Sequence, residues 1–131
     1  METKIGVIGL GNMGGAVATR LIDCGCSLVV YDLNPDAVAR LADIGATGAS
    51  SARGVAVQAD IVLTILPNGP NVEAVADGED GLLNGASSGL LWLEMSTIDP
   101  EVTLRLADRA AQQGITPVSY THLRAHETDR H

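Results

Sequence analysis

The sequence predicts an α/β fold built on a doubly wound parallel sheet, and three observations predict it. Strand-length runs dominated by apolar residues recur at Ile5–Ile8, Ser27–Tyr31, Ile61–Leu66 and Leu90–Glu94. Segments with helical spacing separate them, an order that gives strand–helix–strand crossovers of the usual right hand. The composition is 46% hydrophobic but only 2% aromatic, with no Phe. Such a core is expected to be built from Ala, Val, Leu and Ile, which suits a sheet buried on both faces.

The first run, Ile5-Gly6-Val7-Ile8, opens directly on Gly9-Leu10-Gly11-Asn12-Met13-Gly14, and Ala16 to Ile22 then follows with a helical pattern. A strand, then G-x-G-x-x-G, then a helix is the context that a dinucleotide fingerprint requires. Gly9 lets the chain turn off the strand, Gly11 leaves room for a pyrophosphate, and Gly14 lets the helix pack closely. The unpaired N–H groups of the helix start favour a phosphate there by roughly 0.3–1 kcal/mol through the dipole. The alternative is a glycine-rich turn with no ligand.

The first helix closes at Gly25, and Asp32 stands at the end of the second strand. An acid about 20 residues past the glycines is where the ribose 2′-hydroxyl of NAD is held, and a 2′-phosphate would meet like charge there. The competing role for Asp32 is a helix cap, although Asn34-Pro35 already supplies a cap and a first-turn proline.

Further along, Pro35–Ile44 reads as a helix ended by Gly45, and Thr47-Gly48 as a very short strand. Ser50 or Ser51 caps a helix through Val57, and Pro67 stops the strand Ile61–Leu66. A short helix over Asn71–Ala76 precedes an irregular stretch, Asp77–Gly89, with a turn at Leu82–Asn84. After Leu90–Glu94 comes a loop, Ser96–Asp99, then an amphipathic helix, Pro100–Gln113, ended by Gly114. Gly9–Gly14, Asp32, Leu66–Asn68 and Ser96–Thr97 all follow strands, so they converge on the carboxyl edge of the sheet, where such folds bind ligands.

The 131 residues suffice for one domain with a core, assigned to residues 1–117. A net charge of −8 and a pI near 4.6 argue against nucleic acid and against an anionic membrane surface. No run approaches the ~20 apolar residues of a membrane span, and no signal-peptide pattern opens the chain, so a cytoplasmic location is expected. Cys24 and Cys26 flank Gly25. C-x-C without neighbouring ligands is a poor metal site, and so short a disulfide would be strained.

Three segments together resemble a known family: Ile8 to Gly14, Leu66-Pro67-Asn68-Gly69, and Met95-Ser96-Thr97-Ile98-Asp99-Pro100. The chain from residue 4 to about 117 is similar to the 3-hydroxyisobutyrate, or β-hydroxyacid, dehydrogenases, related to 6-phosphogluconate dehydrogenase. The resemblance implies a Rossmann-type NAD-binding domain in which Asn12 and Met13 make main-chain contacts to the pyrophosphate, within a cofactor-binding segment that also includes Leu10 and the three glycines. It implies that Leu66 and Pro67 line the cofactor path, that Thr97 lies by the nicotinamide ribose and that Ser96 faces substrate. From the residues alone, Ser96-Thr97 before Asp99-Pro100 is equally an ordinary helix entry. Relatives that use NADP often carry an Asn-Arg-Thr-like segment where Asp32-Leu33-Asn34 stands here, which points to NAD.

The same resemblance implies, after Pro117, a short strand, a Pro-Val-Ser-Gly-Gly-like substrate loop and a helical domain carrying a catalytic lysine. None of these is expected here. Lys4 is the chain's only lysine. Residues 118–131 resemble the translated read-through of a transposase-type sequencing adapter and are expected to be a disordered, non-native tail. His122 and His126 lack the H-E-x-x-H order of a metal pair, so no metal site is expected. The chain thus reads as the truncated cofactor half of an NAD-dependent oxidoreductase acting on a small hydroxyacid or semialdehyde. By itself it is expected to be inactive, with no catalytic residue of its own, and the full-length protein is expected to be a homo-oligomer. The alternatives are a non-catalytic binding or assembly module on the same fold and another Rossmann reductase, such as one acting on an imine. A short-chain dehydrogenase fits poorly, because its Tyr-x-x-x-Lys pair cannot be made from Tyr31 or Tyr120.

Overall fold

A computed structural model describes residues 3–66, 69–86, 88–96 and 100–119. The elements in chain order are β1 (Lys4–Ile8), α1 (Asn12–Asp23), β2 (Ser27–Tyr31), α2 (Pro35–Asp43), β3 (Thr47–Gly48) and α3 (Ala52–Gln58). They continue as β4 (Ile61–Thr64), α4 (Gly69–Asp77), α5 (Leu82–Gly85), β5 (Leu91–Glu94), α6 (Pro100–Gln112) and β6 (Thr116–Ser119).

All six strands are parallel, in the order β3-β2-β1-β4-β5-β6. The chain winds outward from β1 to β3, crosses back to β4 and winds the other way, so the order reverses between β1 and β4. Alternation along the strands divides the core in two. Val7, Leu28 and Val30 pack with Ala18 of α1 and Ala37 and Leu41 of α2. Ile8, Val29 and Val62 face the other way, against Val55 of α3, Val72 of α4, Leu82 of α5 and Leu106 of α6. The aliphatic core expected from the composition has one exception: Trp92 is only 2% exposed and sits in the larger cluster.

Local sequence accounts for most element ends. The Asn34 side chain accepts the N–H of Asp36 at 3.0 Å, with Pro35 in the first turn of α2, and Ser51 Oγ accepts the N–H of Gly54 at 3.0 Å to start α3. α1 closes at Cys24, and Gly25 takes the left-handed conformation with φ 85°.

Four differences from expectation go beyond a one-residue shift of an element's end. β4 ends at Thr64, not Leu66, because the Leu66 N–H leaves the ladder to reach a side chain, Ser96 Oγ, at 2.7 Å. α4 begins two residues earlier than Asn71, at Gly69. The turn expected at Leu82–Asn84 is present and is helical, forming α5 through Gly85 with Leu82 and Leu83 buried. The fourth difference is at the C-terminal end. Val118 and Ser119 lie within β6, with Val118 opposite Leu93 and Ser119 opposite Glu94. The expected domain edge at Pro117 therefore falls inside a strand, and the short strand expected to be missing is present, in the order Pro117-Val118-Ser119. Pro117 is tolerated because β6 is the outermost strand described, with one side free of a ladder. The remainder of the expected tail, including His122 and His126, lies outside the described residues. Among the described residues, no helix is long and apolar enough to cross a membrane.

Candidate cofactor-binding site

The carboxyl ends of β1 and β4 open a crevice of about 710 Å³, within the usual size of a small-molecule site. Its floor is the glycine turn. Gly9 has φ 100°, and a Cβ built on it would lie 2.1 Å from the Ile65 carbonyl oxygen. At Gly14 a Cβ would lie 1.8 Å from the Gly9 carbonyl oxygen, so the helix can rise off the turn only if this residue has no side chain. Gly11 is the opposite case: a Cβ there would meet nothing within 4 Å and would project into open space. Close packing therefore explains Gly9 and Gly14, while the opening above Gly11 is the room that a phosphate needs.

Gly11 also caps α1 and supplies no side-chain hydrogen bond, and the first turn carries no acid. The helix start thus presents its dipole and N–H groups to the crevice without internal competition. Asn12 and Met13 line the opening, and Met13 is 62% exposed. Leu10 buries its side chain in the core under α1 and α2, leaving its main chain at the turn.

That main chain meets Asp32. Asp32 Oδ2 accepts the Leu10 N–H at 2.6 Å, and Oδ1 accepts the Asn34 N–H at 2.8 Å. The carboxylate is thereby fixed at the crevice edge, which it lines together with Leu33. Each oxygen retains a further acceptor site for a ligand hydroxyl.

The opposite wall consists of Ile65, Leu66, Met95 and Ser96. Ser96 is 2% exposed, and its hydroxyl accepts the Leu66 N–H. Its own N–H donates to Glu94 Oε1 at 2.5 Å. Glu94 Oε2 accepts the Thr64 hydroxyl, whose oxygen accepts Trp92 Nε1 at 2.9 Å. Burial raises the Glu94 carboxyl above its ordinary value of 4.5, against the hydrogen bonds of Ser96 and Thr64, which act to lower it. Pro67 and Thr97 lie outside the described residues.

Sequence reasoning missed the far wall, formed by Ser50, Ser51, Ala74, Val75 and Asp80. The two serines follow β3, so the rule that ligands sit at strand ends would have found them. Asp80 arrives by packing alone: its carbonyl accepts the Arg53 N–H at 2.7 Å, which brings the α4–α5 connection beside α3. Glu94 was missed as well, although an acid closing an apolar strand was a visible signal. Lys4 starts β1, at the end of the sheet away from the crevice. Among the described residues there is no cluster of three metal-ligating side chains.

Residues 4–126 match the family described as the NAD binding domain of 6-phosphogluconate dehydrogenase. This chain belongs to that family. The domain is 42% identical over 114 residues to 3-hydroxyisobutyrate dehydrogenase of Pseudomonas aeruginosa, a match covering 87% of this chain and 38% of that protein. It is 43% identical over 109 residues to 3-sulfolactaldehyde reductase of Escherichia coli, covering 82% of this chain and 37% of that one. The fold is similar to that of 3-hydroxyisobutyrate dehydrogenase of Mycobacterium tuberculosis, solved with L-serine, with a TM-score of 0.81 at 29% identity over 91% of this chain and 40% of that one. This NAD-binding domain thus spans well under half the length of the relatives it matches.

Proposed function

We propose that the chain binds NAD with the pyrophosphate over Gly11 and the adenosine ribose on Asp32. It would serve as the cofactor half of an oxidoreductase that moves a hydride between NAD and a small β-hydroxyacid or the matching semialdehyde. The observation that carries this reading is the open space above Gly11 at a helix start with no side-chain cap, one strand away from a carboxylate anchored by two main-chain N–H groups. The fit is chemical: N–H groups and a helix dipole suit the phosphates, and a fixed acceptor suits the ribose diol. A 2′-phosphate would meet the Asp32 charge, which favours NAD over NADP. NAD, when bound, supplies the hydride acceptor.

The substrate class comes from the relatives, whose names specify 3-hydroxyisobutyrate and 3-sulfolactaldehyde and one of which was solved with L-serine. Ser96 marks the substrate end of the crevice in this reading, with Leu66 and Pro67 along the cofactor path and Thr97 beside the nicotinamide ribose. Proton exchange with the alcohol needs an acid or base, typically worth 10²–10⁴-fold in rate. The only lysine, Lys4, is at the wrong end of the sheet to serve. The 131-residue chain therefore binds the cofactor without turning over a hydroxyacid. Calorimetric titration with NAD and with NADP, followed by an NADH absorbance assay over a panel of β-hydroxyacids, tests both parts. Absence of NAD binding would overturn the site, and turnover by this chain alone would overturn the assignment of the proton-transfer group to another part of the protein.

A further inference from the structure

Among the described residues Glu94 is the only charged side chain that is buried, at 6% exposure. No cation faces it. The cleft it lines, between α6 and the β5–β6 edge, is also lined by Thr103, Leu106, Pro117 and Val118, and Asp108 of α6 is the only other charged group lining it among the described residues. From β4 it meets the Thr64 hydroxyl, and beyond its own strand it meets the N–H of Ser96. An unpaired buried carboxylate costs several kcal/mol unless its acceptor sites are filled. A Gln or an apolar residue would fill this place more cheaply, so the position of the acid calls for a reason beyond packing.

The chain of bonds leads to the cofactor crevice. Glu94 holds Ser96, Ser96 Oγ holds the Leu66 N–H at 2.7 Å, and Ile65 is tied to β1 through its N–H to the Ile8 carbonyl at 3.0 Å. The Ile65 carbonyl in turn lies against Gly9, closely enough that a Cβ there would stand 2.1 Å away. Leu66 has left the β4 ladder, so the Ser96 hydroxyl takes over the role that a strand partner would have played. We infer that Glu94 is a positioning residue for the cofactor, which through Ser96 fixes the Ile65–Leu66 segment against the glycine turn and so sets the width of the crevice. This rests on the NAD reading above.

The ionised form does this best. A carboxylate offers charge-assisted acceptors to Ser96 and Thr64, whereas the neutral acid offers weaker ones and one fewer. Burial works against the ionised form, so the crevice is held by a group whose charge is costly to keep. Trp92 ends the network at Thr64 and is the chain's only tryptophan, so its emission reports on the same bonds.

The test compares the 131-residue chain with Glu94→Leu and Glu94→Gln, checking fold by circular dichroism and NAD affinity by calorimetry as a function of pH. Glu94→Leu removes every acceptor and is expected to raise the NAD Kd tenfold or more. Glu94→Gln keeps the volume and one acceptor oxygen, and is expected to raise it only about threefold. In the wild type, affinity falls as pH drops through the raised Glu94 value toward 4.5, and Trp92 emission changes over the same interval. In Glu94→Gln both changes are absent, because Gln mimics the protonated acid at every pH. A purely structural carboxyl would leave the affinity of the folded fraction and its pH profile unchanged. A folded Glu94→Leu variant with wild-type affinity overturns the inference. If that variant does not fold, a Glu94→Gln variant with the wild-type pH profile overturns it equally. A wild-type chain that binds no NAD overturns the functional reading together with the inference, whereas a failure confined to the variants overturns the inference alone.

Discussion

Asp32 Oδ2 accepts the main-chain N–H of Leu10 at 2.6 Å, joining the end of β2 to the glycine turn after β1. The carboxylate proposed to read the ribose is therefore also a strut of the glycine turn, and the two functions are not separable by a single truncation. Asp32→Ala is expected to weaken NAD binding about tenfold, equivalent to ~1.4 kcal/mol, and to narrow the preference for NAD over NADP. It should also destabilise the fold by about 1–3 kcal/mol, because a part-buried N–H loses a charged acceptor. Chemical denaturation alongside calorimetry separates the two effects, and an unchanged stability would show that the Leu10 contact contributes nothing.

The three glycines are expected to fail in different ways. Gly11→Val places its side chain in open space, so the domain should keep its thermal midpoint while losing measurable NAD binding. Gly14→Ala drives a methyl group into the Gly9 carbonyl and should lower stability by about 1–3 kcal/mol whether or not cofactor is present. Circular-dichroism melts with and without NAD would show this contrast, and equal loss of stability in both variants would contradict it.

The buried Glu94 predicts a pH dependence of stability with a definite sign. Its folded value is raised above 4.5, chiefly by desolvation, so the folded protein binds this proton more tightly than the unfolded chain does. The resulting stabilisation is fully present below 4.5 and is lost as pH rises through the folded value. Urea denaturation across this window should show wild-type stability declining relative to Glu94→Gln. Parallel profiles for the two proteins would place the carboxyl in water.

The strand β6 predicts where the domain can be shortened. Ending the chain at Ser119 retains every described pairing with β5 and should leave the thermal midpoint unchanged. Ending it at Ile115 strips β5 of its neighbour over Leu91–Glu94 and exposes Trp92 and Leu106 at that edge. A substantially lower midpoint is expected, measured by differential scanning calorimetry, and an equal midpoint would show that β6 adds no stability.

The parallel sheet, its helices and the glycine crevice were legible in the sequence because each rests on short-range physics. Apolar runs separated by helical spacing specify strands and crossovers, and Gly9, Gly11 and Gly14 act within one turn of chain. Asp32 was legible as an acid at a strand end, but its bond to Leu10 was not, since nothing local relates residues 22 positions apart. The far wall was decided only in three dimensions, where Asp80 comes to rest beside α3 because its carbonyl meets the Arg53 N–H. The same holds for the network from Trp92 through Thr64 and Glu94 to Ser96 and Leu66, whose donors and acceptors lie on β4, β5 and the segments that follow them and become partners only when the two strands pair in register. Local propensity determined which segments became strands and where the chain turned. Tertiary packing determined which polar groups left water together, because a buried hydrogen bond needs both partners delivered to one place and neither carries that information alone.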